Sequence, residues 1–373
     1  MSSTFKQEPK FGKTIREDFQ HLKLKEDMGG EYRDLKDYFL SDDRKERLKT
    51  MSGFKKFFVI PWWLLRALFF KLTPFRRILL LVAIILILIA RNSSVNGDQV
   101  NINLFGPAVV GALILLFILA LELKDKMYAR TELEEGRAVQ ISLMPEVNPD
   151  VKGWDIWLFT KPANDVGGDL IDFLKISENK IGISVGDVAG KGLSAALLMA
   201  KLQSTIRAIA PDYISLSTLG EKLNRIFFRD SLPKLFASLV YIELNIDSGE
   251  VKILNAGHLE PLIIKESAIK KINKSSPALG IIQDATFNEQ VTNLGFNEYL
   301  IIFSDGLTEA RNETGEFFGE ERLKSFLSAA YGLTSQQLGN KILFEVHNFT
   351  VNAKVHDDLT IAILRRKELK KSL

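Results

Sequence analysis

The chain has 373 residues, a formal net charge of +3 and 46% apolar residues, enough for two or three structural units. Its lysines and arginines are interleaved with acids, a pattern without the basic patch that nucleic acid requires. Cysteine is absent, which excludes disulfides, thiolate metal sites and any mechanism built on a cysteine nucleophile.

Residues 1–56 are strongly charged, with helical patches such as Tyr32 to Leu48, and read as a solvated cytoplasmic segment that carries no chemistry. The stretch Phe57 to Phe70 follows. Its Trp62 and Trp63 favour the headgroup region, so an interfacial helix is expected, with a re-entrant span as the alternative. Two charge-free apolar runs come next, Ile78 to Ala90 and Leu104 to Leu121, separated by the polar turn Asn92 to Asn101. The first is short but bracketed by Arg76, Arg77 and Arg91, whose side chains can snorkel and extend the span. The second has about the 18 residues a crossing needs.

Together residues 57–123 predict the interfacial helix and a two-helix transmembrane hairpin, at about 75–91 and 103–122. A pair of buried core helices is the competing reading, but neither run shows a polar face. Basic residues flank the hairpin on both outer sides (Lys55, Arg66 and Lys71 before it, Lys124 and Lys126 after it), which places both termini in the cytoplasm. Residues 124–150 form a linker, helical from Glu122 to Leu143 and ending at Met144-Pro145. Its loose apolar stripe fits either a homodimer contact with a second copy or packing on the domain that follows.

Residues 151–367 predict an α+β domain, because strands outnumber helices. Strands are expected at Trp154–Phe159, Lys180–Val185, Leu235–Asn245, Glu250–Asn255, Tyr299–Ser304 and Leu359–Arg365. Helices are expected at Leu193–Ala210, Leu216–Arg229, Glu320–Ala330 and Ser335–Asn348. Aspartates recur at the ends of apolar runs: Val166-Gly-Gly-Asp169, Ser184-Val-Gly-Asp187, Phe303-Ser-Asp305-Gly306 and His356-Asp357-Asp358. Carboxylates are the ligands a hard divalent cation prefers, and glycine beside them lets backbone approach closely. One metal centre assembled from distant strands is therefore expected.

These blocks resemble the metal-dependent PPM, or protein phosphatase type 2C, superfamily, in its branch typified by stage II sporulation protein E and the sigma-factor regulatory phosphatases. The resemblance runs in order through Thr131 to Pro145, Asp165-Val-Gly-Gly-Asp-Leu-Ile-Asp172, Gly186-Asp-Val-Ala-Gly-Lys-Gly192, Asn255-Ala-Gly-His258, Ser304-Asp-Gly-Leu-Thr-Glu309 and Asp357-Asp-Leu-Thr360. It implies a PPM-type β-sandwich flanked by paired helices (αββα) with two divalent cations, Mn²⁺ or Mg²⁺, at one end. Asp187 resembles the carboxylate bridging both metals, with the Val188 carbonyl as a further ligand. Asp305 and Asp357 resemble the remaining ligands of one metal, and Asp169 serves the other, directly or through water. Asp187 and Asp305 are accordingly the catalytic candidates.

Around these ligands, Asp358, Gly168 and Gly306 are expected to support the site. Asp172 is either such a support or a solvated strand-end acid. Because Asp357 and Asp358 are adjacent, strand alternation points them apart and leaves one direct ligand. His258 is expected to be structural, and Glu309 a network partner rather than a ligand. Lys191 departs from the histidine of many relatives, and no arginine is assignable to phosphate binding.

Two rival motifs fail. Gly182-Ile-Ser-Val-Gly186 satisfies a nucleophile-elbow pattern, but Ser184 falls inside a strand. The loop Gly186 to Gly192 lacks one spacer residue and the final Ser/Thr of a nucleotide-binding loop. The resemblance thus implies a protein serine/threonine phosphatase, and the apolar hairpin anchors it in the bacterial cytoplasmic membrane. Its substrate would be a phosphorylated protein such as an anti-sigma antagonist. The competing reading is a catalytically silent, membrane-anchored scaffold or sensor.

Overall fold

Strands β4 (Ala237–Asn245) and β9 (Tyr299–Phe303) are nearly continuous apolar runs because both of their faces are covered. In the computed structural model, which describes residues 36, 40, 42–93, 106–231, 235–266, 268–274, 276–328, 331–351, 353 and 355–368, the chain divides into two compact units, residues 1–127 and 128–373.

In the first unit, helices α1 (Asp42–Thr50), α2 (Gly53–Lys71) and α3 (Pro74–Ser93) precede the long helix α4 (Pro107–Leu143), which continues into the second unit. Helices α3 and α4 pack closely where Gly111 lies against the Ala83 backbone, a contact any larger residue would obstruct. Arg76 on α3 pairs with Glu122 at 2.6 Å and Asp125 at 2.7 Å on α4. Residues such as Ile85, Leu88, Leu116 and Leu119 remain exposed on these helices.

Of the two helices expected in the hairpin, α4 is, among the described residues, the one long and apolar enough by itself to cross a membrane. Helix α3 carries Arg76, Arg77 and Arg91, so its uninterrupted apolar stretch reaches only roughly 20 Å against a hydrocarbon core of about 30 Å. The linker helix is continuous with the second apolar segment, since α4 runs unbroken from Pro107 to Leu143. The turn at 94–101, the start of the second apolar run and most of the N-terminal segment lie outside the described residues.

The second unit holds two five-stranded antiparallel sheets. One has the order β1 (Trp154–Lys161), β10 (Leu359–Arg366), β9, β6 (Leu262–Lys265), β7 (Ala268–Lys271). The other runs β2 (Asp169–Ser177), β3 (Lys180–Val188), β4, β5 (Glu250–Ala256), β8 (Glu289–Asn293). Ile183, Val240, Leu300 and Ala362 belong to the apolar layer between them.

Helices α5 (Leu193–Ile209) and α6 (Leu216–Asp230) cover the outer face of the second sheet, where Met199 and Leu219 meet Leu170 and Tyr241. A short helix α7 (Asp305–Thr308) leads to α8 (Glu320–Ser328) and α9 (Ser335–Thr350), which cover the first sheet through Leu323, Leu338 and Ile342. The layers are therefore helix, sheet, sheet, helix, as expected. Strands β2, β6, β7 and β8 are additions to the expected set.

Candidate metal centre

Strand ends bring the acidic motifs to one edge of the sandwich. Asp169 opens β2 and Asp187 lies near the end of β3, and the two are direct partners in the ladder. Partners on adjacent strands project to the same face, here the inter-sheet side shared by Ile171 and Val185. From the opposite sheet, Asp305 follows β9 and Asp357 and Asp358 precede β10.

The electrostatics are those of crowded anions. Burial, then the nearby charges of Asp305, Asp357 and Asp358, push the Asp187 carboxyl up to about 6. Burial raises Asp305 as well, with Asp357 and Glu309 adding repulsion. Asp169, only 5% exposed, is raised well above its ordinary value by burial and by Asp187, against hydrogen bonds from Thr360 and Ser304. Its Oδ2 has no partner. The cation in contact with these carboxylates is Lys191, whose Nζ lies 3.6 Å from Asp357 Oδ2 and donates to the His356 carbonyl at 2.8 Å.

Such a donor set fits a hard divalent cation. It consists of carboxylate oxygens that raise one another's protonation energy, one of them buried without a partner. Among the described residues, no three acidic or imidazole side chains stand close enough to form a finished ligand shell. The donors are gathered but not closed around one point. The Val188 carbonyl lies in the same place: it would sit 3.2 Å from a Cβ built on Gly168, and Val188 N–H donates to the Gly168 carbonyl.

Asp358 has a different task from its neighbour. It is buried, and its Oδ1 accepts from Ala163 N–H at 2.7 Å while Oδ2 accepts from Gly168 N–H at 2.6 Å and Asp169 N–H at 3.3 Å. It staples the loop that delivers Asp169. Asp357 is exposed and faces Lys191. The two do point apart, but strand alternation is not the reason, because both precede β10. Gly306 is forced by the same crossing, since a Cβ there would collide with the Asp358 carbonyl.

Asp172 does not support the centre. Three residues into β2, it lies on the opposite face from Asp169. Both of its oxygens are taken by Arg207 on α5, at 2.6 and 2.8 Å. His258 is buried, shares a 2.8 Å hydrogen bond with Ser238 Oγ, and is pushed down to about 4 by burial. A neutral, enclosed imidazole of this kind is structural.

Sequence reasoning missed two residues. Gln140, buried near the end of α4, donates to the Gly167 carbonyl at 2.8 Å and accepts from Gly167 N–H at 3.1 Å. Arg207 donates to the Leu143 carbonyl at 3.0 Å as well as to Asp172. The last turn of α4 is thereby tied both to the loop carrying Asp169 and to α5. No local pattern marks either residue, since their partners lie far along the chain.

Two antiparallel sheets between helix pairs, with aspartates gathered at one edge, define a PP2C-like domain. Residues 177–367 match the family described as Stage II sporulation protein E (SpoIIE), half of the chain. The chain belongs to the SpoIIE family. The phosphoserine phosphatase RsbU of Bacillus subtilis is 29% identical over 244 residues, 64% of this chain and 71% of that protein. Protein IcfG of Synechocystis is 29% identical over 249 residues, 59% of this chain, and the match spans only 39% of IcfG. Among solved structures, the SiaA PP2C domain of Pseudomonas aeruginosa superposes with a TM-score of 0.58 at 16% identity, covering 65% of this chain and 98% of that domain. At that identity the likeness speaks for the fold alone.

Proposed function

We propose that this chain is a membrane-anchored, metal-dependent protein serine/threonine phosphatase whose substrate is a phosphorylated protein. The observation that carries the reading is the Asp169–Asp187 pair, two like charges held opposite each other with an orphaned oxygen and with Asp305 and Asp357 nearby. Family membership supports the same chemistry, as does the name of RsbU as a phosphoserine phosphatase.

Asp187, Asp305 and Asp357 would hold one cation and Asp187 with Asp169 a second, with the Val188 carbonyl as a further ligand. A pair of divalent cations, Mn²⁺ or Mg²⁺, supplies a shared water acidic enough to ionise near neutral pH and offsets charge on the phosphoryl group. The remaining work falls to the chain. Asp358 fixes the Asp169 loop, Thr360 positions the Asp169 carboxylate, and Gln140 clamps Gly167 beside it. With no cysteine in the chain, a cysteinyl-phosphate route has no nucleophile.

The exposed apolar surfaces of α3 and the first half of α4 support a membrane anchor. The hairpin topology, with both termini and the domain in the bacterial cytoplasm, rests on the basic flanks. An anti-sigma antagonist as substrate is drawn from the resemblance to the sigma-factor regulatory branch, and a homodimer through α4 from the loose apolar stripe of Leu123 to Met144.

The test is Mn²⁺-dependent hydrolysis of p-nitrophenyl phosphate and of a phosphoserine peptide by the purified chain in detergent. Wild type turns over both, and Asp187→Asn and Asp305→Asn abolish turnover while the domain stays folded. Undiminished activity in both variants would defeat the metal assignment. A wild type that binds Mn²⁺ without turnover would favour the silent scaffold.

A further inference from the structure

Beside the acidic cluster, on the side of β1, β10 and α9, lies a cavity of about 320 Å³. That volume is at the low end for small-molecule sites, so it suits a side chain or two rather than a nucleotide-sized ligand. Gly306 and Asp357 form its edge toward the acidic cluster. Phe159, Leu343 and Val346 give it an apolar floor.

Lys161, the last residue of β1, and Arg311, just beyond α7, both line the cavity. Neither has a carboxylate within ion-pair distance among the described residues, and Arg311 only rests on the Phe317 ring at 4.7 Å. His347 and His356 complete the basic side; Glu309 and Asp357 are its acids, Asp357 being already committed to the centre. Two unpaired cations and an apolar floor next to a group of repelling carboxylates call for an occupant that is anionic at one end and apolar at the other.

We propose that this cavity is the specificity subsite of the centre, which receives an apolar side chain flanking the phosphoserine or phosphothreonine of an extended protein segment. Lys161 and Arg311 draw the anionic segment toward a centre whose own carboxylates repel it, and Phe159, Leu343 and Val346 take the flanking side chain. The inference rests on the phosphatase reading and names which phosphoproteins that site prefers. One well-placed apolar group in a pocket is worth about 10- to 100-fold in discrimination.

The test uses the full chain in detergent micelles with Mn²⁺ and three probes. These are p-nitrophenyl phosphate, a phosphoserine peptide flanked by leucine, and the same peptide flanked by glycine. Wild type should prefer the leucine peptide by about tenfold in kcat/KM. Thr350→Trp, which fills the cavity from α9, should erase that preference and leave p-nitrophenyl phosphate turnover within about twofold. Lys161→Ser combined with Arg311→Ser, both at exposed positions, should raise KM for both peptides about tenfold with kcat unchanged.

Equal rates on the two peptides in wild type, or equal losses on peptide and aryl phosphate in Thr350→Trp, would overturn the subsite. If wild type hydrolyses none of the probes, the phosphatase reading fails, and anisotropy of a fluorescein-labelled leucine peptide decides the subsite alone. Binding abolished by Thr350→Trp, or by the Lys161/Arg311 pair should the tryptophan variant not fold, supports it; binding that is absent or indifferent to the substitutions refutes it.

Discussion

Asp169 and Asp187 stand directly opposite each other in the β2–β3 ladder, both on the inter-sheet face, with only Asp169 fully enclosed. Like charges in that arrangement destabilise a sheet, so without a cation the fold tolerates them at a cost. The cost has a pH signature. Burial, and then the charges of Asp305, Asp357 and Asp358, push the Asp187 carboxyl up to about 6 in the folded domain against 3.8 for an ordinary aspartate. Between those values the folded state holds a proton that the unfolded chain has released. Stability of the metal-free domain therefore falls as pH rises through that window, and the penalty is complete above it. Asp187→Asn should stabilise residues 124–373 in EDTA by roughly 1–3 kcal/mol at pH 7 and by much less at pH 4, read by urea denaturation. A variant less stable than wild type at pH 7 would contradict the repulsion.

The same protons must leave when a cation binds. Mn²⁺ affinity should therefore climb between pH 5 and 7, with its midpoint near the Asp187 value of about 6, and binding should release protons. Calorimetry in buffers of different ionisation enthalpy measures the release directly. Asp187→Asn should lose both the affinity and the proton signal. A pH-independent affinity over that range would show that the cation does not use this carboxylate.

That the acidic motifs gather at strand ends was legible in the sequence, because Gly-Asp and Asp-Gly pairs survive as local patterns around Asp187 and Asp305. What escaped were features set by distant partners. Strand β2 hid inside an acidic motif, and β6, β7 and β8 span only 4, 4 and 5 residues, too short for alternation to show. Asp172 looked like part of the site from its nearness to Asp169, yet the pleat turns it to Arg207, 35 residues away in sequence. Asp357 and Asp358 do meet different partners, but ahead of β10 rather than through its alternation. The division of strands between two sheets follows from pairings that composition does not encode.

Gln140 offers a test of how α4 acts on the centre. Its amide satisfies both backbone groups of Gly167, one residue before the Gly168 that Asp358 also holds. Gln140→Leu keeps the bulk and leaves a buried N–H and C=O unmet, a cost of about 1–3 kcal/mol for each. The Asp169 loop should loosen, seen as faster hydrogen exchange at the Gly167 and Gly168 amides, and Mn²⁺-dependent kcat should fall by about tenfold or more. Deleting α4 altogether, as in residues 151–373, should give the same loss relative to residues 124–373. Equal activity of the two fragments would argue that α4 has no control over the metal site.

Arg207, which Asp172 holds, makes the second tie between α4 and the domain, and the Arg207–Asp172 pair separates structural from catalytic effects. Asp172 is 3% exposed at its side chain and Arg207 is 37% exposed, so removing the arginine strands a buried carboxylate that water can only partly reach. Arg207→Met should cost about 2 kcal/mol, below the 3–5 kcal/mol of a fully enclosed pair because of that access. Asp172→Asn in the same chain should return part of the loss, since the stranded charge is then gone, and the double-mutant cycle gives the coupling. Arg207 also donates to the Leu143 carbonyl, so the double variant should still show a loosened α4 end by hydrogen exchange. Mn²⁺ affinity should be unchanged in the double variant, because Asp172 faces away from Asp169 and Asp187. A fall in that affinity comparable with Asp187→Asn would return Asp172 to the metal centre.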